Sequence, residues 1–338
     1  MIDESALLKA ARRAVADACV VCRAVQHGQG DITKILKDDR SPVTVADFAS
    51  QAVVIHRLRE ALGDVRVVGE EDADELRSGD PALRENVLNA VRMVWSDASE
   101  DEMLDAIDGG CDEGGGSSFW TLDPIDGTKG FLRGGQYAVS LGWLEDHTPT
   151  IGVLGCPNLP MDFGHSFDEP DAHGALYVSV RGNGLWEAPA DQPDAKLMRV
   201  PALNHAPDDK IRVCESVESG HSKHDHTLKI VEMLGRESRS LRLDSQAKYA
   251  VVARGQADAY LRMPTRAGYR EKIWDHAAGA LCATEAGAVV TDITGAPLDF
   301  SHGPTLATNR GVICGTPDIH GKIIHAIAEL GFADMGKE

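Results

Sequence analysis

Two stretches in the N-terminal part of the chain are predicted to be helices, the first because its apolar positions recur at helical spacing. In the first stretch these positions are Leu7, Leu8, Ala11, Val15, Ala18, Cys22 and Val25. This period predicts a helix with one buried face. The second stretch, FASQAVVIHRLREAL, follows Thr44 with Asp47 three residues later and is closed by Gly63, so it has the start and stop signals of a helix. A short strand in VRVVGEED is predicted next, ending at Glu70.

Alternating apolar and polar positions in the middle of the chain predict antiparallel strands. The segment FWTLD predicts a strand that delivers Asp123 to its end. Two hairpins are predicted, one around Glu145-Asp146-His147 and one joining ALYVSV to GLWEA through Arg181-Gly182-Asn183-Gly184. By contrast, the stretch 96–118 is rich in Asp, Glu and Gly, so we expect a solvated surface loop rather than a metal-binding one.

The pattern changes to alternating strands and helices from about Ile211. Strands are predicted in IRVCES, SLRLD, ADAYLRM and AVVTDI, and helices in HTLKIVEML, QAKYAVVARG and DHAAGALCATEAG. We therefore predict an α+β domain over 1–205 and an α/β domain over 206–338.

Composition narrows the possible partners. The 338 residues are 43% hydrophobic and carry a formal net charge of −19, so nucleic acid and anionic membranes are not expected partners. Without a long apolar run, a signal-peptide pattern or a disulfide-like arrangement of the seven cysteines, we expect a cytoplasmic protein. Cys19 and Cys22 form a C-x-x-C that could be a redox pair or half a zinc site. Two small residues on a helix face are favoured, because no second pair accompanies them.

The segment Asp123-Pro124-Ile125-Asp126-Gly127-Thr128 carries the most chemical information. Pro124 fixes φ and Gly127 permits close approach, so a tight turn could aim two carboxylates and the Ile125 carbonyl at one point. Hard oxygen ligands of this kind suit Mg²⁺. An ordinary surface turn is the alternative.

Three further acids have both a structural and a functional interpretation. Asp275 lies near the start of a predicted helix and could be an N-cap. Glu70 could be a surface acid, and Asp47 could be a charge at a helix terminus. For Asp275 taken alone, the N-cap interpretation is favoured over a metal ligand.

The order GEE, DPIDGT and WDHAAG resembles the lithium-sensitive, magnesium-dependent phosphatases related to inositol monophosphatase and fructose-1,6-bisphosphatase. Longer strings, SPVTVADFASQ, DPIDGTKGFLRGGQYAVSLG, DSQAKYA, ADAYLR and EKIWDHAAG, are similar to those of the 3′(2′),5′-bisphosphate nucleotidases. Lys129-Gly130-Phe131 favours this branch over the inositol branch, which usually has Thr-Asn-Phe there. The likeness runs from about Ser41 to Gly315.

This resemblance implies a layered αβαβα sandwich and a metal site. It implies that up to three Mg²⁺ ions are held by Glu70, Asp123, Asp126, Asp275 and the carbonyl of Ile125. It also implies that Thr128 orients the attacking water and Asp47 takes its proton, in an in-line transfer without a phosphoenzyme.

The resemblance also implies a substrate pocket. Its expected residues are Gly127, Thr128, His221, Ser245, Lys248, Arg262 and Asp275. His224 in the HSKHDH run is a rival to His221, while Tyr249 is expected in the core. Lys248 and Arg262 are suitable partners for the second phosphate of a bisphosphate.

The implied reaction removes the 3′-phosphate of adenosine 3′,5′-bisphosphate to leave AMP, and the 5′-phosphosulfate form is a further possible substrate. An inositol phosphate phosphatase on the same fold is one alternative. A catalytically silent nucleotide sensor is another, although the presence of Asp47, Thr128 and all the metal carboxylates argues against it. A monomer or a homodimer is compatible with the sequence.

Overall fold

A computed structural model describes residues 5–29, 34–36, 42–203, 210–217 and 224–336. The described helices are α1 (Ala6–Ala24), α2 (Val45–Leu62), α3 (Asp74–Ser78), α4 (Pro81–Val91), α5 (Glu100–Asp108), α6 (Thr128–Leu132), α7 (His224–Met233), α8 (Ala247–Ala253), α9 (Ala277–Glu285) and α10 (Pro317–Glu329). The described strands are β1 (Lys34–Leu36), β2 (Pro42–Thr44), β3 (Val67–Gly69), β4 (Ser118–Asp126), β5 (Ala138–Glu145), β6 (Thr148–Cys156), β7 (Ala175–Val180), β8 (Leu185–Pro189), β9 (Met198–Arg199), β10 (Lys210–Glu215), β11 (Glu237–Arg242), β12 (Ala259–Arg262), β13 (Val289–Thr291) and β14 (Val312–Gly315).

The two N-terminal helices form as predicted and pack against each other. The side chain of Thr44 and that of Asp47 form the capping box that starts α2, and Gly63 ends that helix. The predicted apolar face of α1 is buried. Cys19 and Cys22 lie in this face, and burial raises the pKa of both thiols well above the ordinary range. Because a thiolate is disfavoured there, the two cysteines act as packing residues.

A seven-stranded sheet follows in the order β3-β4-β5-β6-β7-β8-β9, antiparallel except for the parallel pair β3–β4. Both predicted hairpins are present. In the β5–β6 turn, Asp146 and His147 have φ of 46° and 59°, which is the geometry that a two-residue hairpin requires. Gly152 of β6 meets α9, whereas Gly155 meets α1. Since these positions are three apart on one strand, the two helices cover opposite faces of the sheet.

The second sheet has five strands in the order β11-β10-β12-β14-β13. Apolar residues on one of its faces pack with α8 and α9, and those on the other face pack with α7 and α10. The layers are therefore helices α1 and α2, a sheet, helices α8 and α9, a sheet, and helices α7 and α10. This arrangement confirms the predicted αβαβα sandwich. The division into 1–205 and 206–338 stays a prediction, since α9 packs on strands of both sheets.

One prediction about the fold was wrong. The acidic stretch 96–118 is not simply a solvated loop, because it contains α5. Ser99 and Glu102 form a capping box at its start, and Met103 and Ile107 are buried in the core. The acidic residues of the exposed face of this short amphipathic helix made the segment resemble a loop in composition. Among the described residues, no helix has the length and apolar character needed to cross a membrane.

Candidate active site

The Asp123–Asp126 segment is the bulged end of strand β4, not a surface turn. The strand register shifts between Asp123 and Asp126, and the carbonyl of Pro124 accepts a hydrogen bond of 2.8 Å from the buried Ser50 hydroxyl. Gly127 then takes φ of 89°. A Cβ at this position would lie 3.0 Å from that of Ser245. Glycine therefore allows the segment before α8 to approach the bulge closely.

Asp123 is the centre of a cluster of like charges. It is only 1% exposed. Burial raises its pKa well above the ordinary range, and the charges of Glu70, Asp126, Asp275 and Asp47 raise it further. The pKa of Asp126 is raised to about 6 by burial and by Asp275, although Lys248 and Arg262 act in the opposite direction. The fold thus gathers carboxylates whose ionised forms repel one another. We name this set, Asp47, Glu70, Asp123, Asp126 and Asp275, the acidic cluster.

This cluster fits a divalent cation. The Oδ1 atom of Asp123 is buried and has no hydrogen-bond partner among the described residues. A buried carboxylate oxygen without a donor is costly unless a cation neutralises it. The surrounding donors are carboxylate and carbonyl oxygens, which are the ligands that Mg²⁺ prefers.

Asp47 connects the capping box of α2 to Thr128. Its Oδ2 atom accepts hydrogen bonds from the amide of Thr44 at 2.8 Å and from the Thr44 hydroxyl at 2.6 Å. Its Oδ1 atom lies 3.3 Å from the Thr128 hydroxyl, which is also 3.3 Å from the carbonyl of Ile125. The two Thr44 donors fix the orientation of the carboxylate, so its other oxygen faces the Thr128 hydroxyl.

Asp275 belongs to a second group of charges. It precedes His276, the N-cap of α9, so its interpretation as the N-cap is wrong. A terminal nitrogen of Arg262 lies 3.3 Å from Asp275 and 2.7 Å from Glu271. Burial acts to raise the pKa of Glu271, but Arg262 and His276 outweigh burial and lower it to about 2.

The carboxylates of Glu271 and Asp275 and a ring nitrogen of His276 lie within 4.8 Å of one another. This spacing resembles that of a metal site. The guanidinium of Arg262, however, already contacts both carboxylates. The cation of this group is therefore supplied by the chain itself. We name the set Arg262, Glu271, Asp275 and His276 the arginine network.

The predicted substrate residues before and within α8 lie next to the bulge. Ser245 is buried and has φ of 70°, a strained value for a residue with a side chain. The amide of Gln246 donates to Asp126 at 2.6 Å, which ties this segment to the acidic cluster. The ammonium of Lys248 is buried and donates to the carbonyls of Leu243 and Ser245.

The positions of two predicted histidines relative to the bulge are not described. His221 lies outside the described residues, and His224 begins α7 with its side chain outside the description. Tyr249 is in the core, as expected, and its hydroxyl lies 2.8 Å from His276 Nδ1. Glu271, Gln246 and His276 had no predicted role. Glu271 and His276 both lie in the EKIWDHAAG string and Gln246 in DSQAKYA, so the only signal for them was membership of a long motif.

Comparison with known proteins confirms the recognised family. The family model described as "Inositol monophosphatase family" matches residues 3–331. A protein of Emericella nidulans named 3′(2′),5′-bisphosphate nucleotidase is 43% identical over 88% of this chain and 90% of its own length. A protein of the same name from Oryza sativa is 40% identical over 96% and 94% of the two chains.

Solved structures show the same fold at lower identity. The suhB protein of Bartonella henselae has a TM-score of 0.63 at 21% identity, covering 96% of this chain and 98% of its own. The Thermotoga maritima IMPase has a TM-score of 0.62 at 19% identity, covering 95% and 96%. Together with the match to the family model and the curated relatives, these likenesses establish that the chain belongs to the inositol monophosphatase family.

Proposed function

We propose that this protein is a magnesium-dependent phosphatase that removes the 3′-phosphate of adenosine 3′,5′-bisphosphate, leaving AMP and phosphate. The observation that carries the proposal is the buried Oδ1 atom of Asp123, which has no donor among the described residues and is surrounded by carboxylates. The curated relatives, named 3′(2′),5′-bisphosphate nucleotidase, support the choice of substrate.

The proposed metal ligands are four carboxylates of the acidic cluster and one carbonyl. Up to three Mg²⁺ ions would be held by Glu70, Asp123, Asp126, Asp275 and the carbonyl of Ile125. When bound, Mg²⁺ neutralises phosphate oxygens and lowers the pKa of water, which provides a nucleophile at neutral pH.

Asp47 and Thr128 handle the proton of the attacking water. The Thr128 hydroxyl orients the water, and Asp47 Oδ1, at 3.3 Å from that hydroxyl, is the base that receives the proton. The two hydrogen bonds from Thr44 hold Asp47 in place throughout. The amides of Gly127 and Thr128 follow the bulge and provide donors for phosphate oxygens. The transfer is in-line and forms no phosphoenzyme.

The residues around Ser245 provide the rest of the substrate site. Arg262 is partly exposed, next to Asp275, and is the better placed cation for the second phosphate. Lys248 is 4% exposed, so its ammonium acts on a bound anion mainly through its charge. Ser245 and His221 complete the proposed nucleotide contacts.

The test compares phosphate release from adenosine 3′,5′-bisphosphate and from inositol 1-phosphate with Mg²⁺ present. We expect a preference of about a hundredfold for the nucleotide, which is ~2.7 kcal/mol of transition-state discrimination. Equal or reversed rates would leave the metal chemistry intact and overturn the substrate assignment. Absence of release from both compounds would favour a silent nucleotide sensor. The 5′-phosphosulfate form is a further arm of the same assay.

A substitution of Arg262 tests whether this residue binds the second phosphate of a bisphosphate substrate. Arg262→Ala should mainly raise KM for the bisphosphate, with a smaller effect on a nucleoside monophosphate. An equal loss on both compounds would contradict the role in binding the second phosphate. Cytoplasmic location, lithium sensitivity and a monomeric or dimeric state stay predictions.

A further inference from the structure

A large pocket lies between the N-terminal helices and the end of the first sheet. It has a volume of about 890 Å³ and is lined by α1, the C-terminal part of α2, Trp186 of β8 and residues 193–197. This size suits a small organic ligand. We name it the basic pocket, for the side chains that line it.

The charge of the basic pocket is opposite to that of the protein. Its lining includes five cationic side chains and two acidic ones, Glu60 and Asp194. The cationic side chains are Lys9, Arg12, Arg13, Arg57 and Lys196. A chain with a net charge of −19 therefore has a local surplus of positive charge here, even when the neighbouring Asp17 is counted.

Three of these cations are available to a ligand. Lys9 and Lys196 are exposed and form no ion pair with any residue that the structure describes. Arg13 is loosely held, at 3.7 Å from Asp17 and 3.9 Å from Asp194, with its side chain 52% exposed. Exposed ion pairs of this kind contribute little to stability, so an anionic ligand can replace the two carboxylates as the partner of Arg13.

The other two cations stabilise the walls. Arg57 is bound to Asp17 at 2.7 Å and to Glu60 at 2.9 Å. Arg12 is buried and donates to the carbonyl of Ala195 at 2.5 Å. This bond fixes the loop that carries Lys196 against α1. The positions of the free cations are thus set by buried contacts, which lowers the entropy cost of binding a ligand.

The basic pocket is separate from the acidic cluster. Asp47 lies at the N-terminal end of α2 and Arg57 near its C-terminal end. At a rise of 1.5 Å per residue, they are about 15 Å apart along the helix. None of the predicted substrate or metal residues lines the pocket.

We propose that the basic pocket binds a small molecule carrying two or more phosphate or sulfate groups. Cations from α1 and from the 193–197 loop face one cavity, so a ligand with several anionic groups can contact more than one of them. Trp186 and the alanines of both helices provide an apolar wall for the remainder of such a ligand.

The test measures binding of inorganic tripolyphosphate by isothermal titration calorimetry in metal-free, low-salt buffer. Without metal the acidic cluster repels polyanions, so this condition favours the basic pocket. The test variant is Lys9→Glu with Lys196→Glu, since both side chains are exposed and the fold should be kept. The control is Lys229→Glu with Arg239→Glu, which changes the net charge equally at two exposed positions outside the pocket.

We expect the native protein to bind tripolyphosphate more tightly than orthophosphate. The pocket variant should lose affinity by about tenfold or more, which corresponds to ~1.4 kcal/mol, while the control should stay within about threefold. Absence of binding to the native protein, or an equal loss in both double variants, would overturn the proposal. Since the readout is binding without metal, it does not depend on the proposed phosphatase activity.

Discussion

The acidic cluster and the arginine network lie side by side and share Asp275, yet their charges are balanced in different ways. In the network, Arg262 contacts Glu271 at 2.7 Å, and the pKa of Glu271 falls to about 2. In the cluster, Lys248 and Arg262 only partly offset the burial and repulsion that raise the pKa of Asp126 to about 6. The chain itself neutralises the network, whereas the acidic cluster keeps an excess of negative charge that a cation from solution could balance.

The largest expected effect is on catalysis, from Asp126→Asn. The change removes the charge of a proposed metal ligand with little change in volume, so kcat with Mg²⁺ should fall by about a thousandfold or more, which is ~4 kcal/mol. Phosphate release measures it, with the exposed Asp101→Asn of α5 as the matched control. Activity above about a tenth of the native value would remove Asp126 from the metal site.

The next effect is on stability, from Glu271→Gln. The change removes the buried carboxylate that lies closest to Arg262, whose own side chain is only 17% exposed, so the free energy of unfolding should fall by about 3 kcal/mol. Urea denaturation measures it. The matched control is Glu237→Gln, because Glu237 forms an exposed 2.8 Å ion pair with Lys210 that should contribute under about 1 kcal/mol. Similar losses of unfolding free energy in both variants would show that the arginine network stabilises the fold no more than an exposed ion pair does.

The smallest expected effect is a pH dependence of the free energy of unfolding of the metal-free protein. An unfolded Asp titrates near about 3.9, whereas Asp126 in the fold titrates at about 6. Between these values the folded chain binds more protons, so its stability falls as the pH rises. Relative to Asp126→Asn, the native protein should lose about 1 kcal/mol of unfolding free energy from pH 5 to pH 7.

The comparison with Asp126→Asn is needed because other groups titrate in the same range. Burial lowers the pKa of His56 and His320, and these two residues act in the opposite direction, since their stabilisation is lost as the pH falls. Both are present in the two proteins, so their effect cancels. The charge of Asp126 also raises the pKa of Asp123, so its loss in Asp126→Asn changes the difference in the same direction. Denaturation in the presence of a chelator measures the difference, and a difference that is flat with pH would contradict the raised pKa of Asp126.

Local patterns were sufficient for much of the fold. The capping box at Thr44 and Asp47 and the hairpin at Asp146-His147 are each encoded within a few residues, so their elements could be predicted. Helix α5 was missed because its exposed acids dominate the composition, although Ser99 and Glu102 and two apolar pairs carried the signal. Strand β14 was also missed.

Most contacts within the candidate site could not be predicted from local sequence patterns. Asp123 and Asp126 lie in one motif and could be recognised together. No sequence pattern predicts that Glu271 contacts Arg262 or that the amide of Gln246 binds Asp126. Those contacts depend on how β12, α8 and α9 are placed by the packing of both sheets. Resemblance to a family supplied the proposed ligands and substrate residues, whereas the contacts that hold them required the structure.

Helix α9 has a consequence for how the protein is made. Gly142 and Gly152 are paired on β5 and β6, and a Cβ at either would crowd Ala277 or Ala278 of α9. The helix that follows Asp275 therefore seats directly on a sheet completed much earlier in the chain. On the ribosome, Glu70, Asp123 and Asp126 emerge long before Asp275 does. The nascent chain would consequently carry only part of the proposed metal site, and full retention of metal would mark the stage at which α9 has docked.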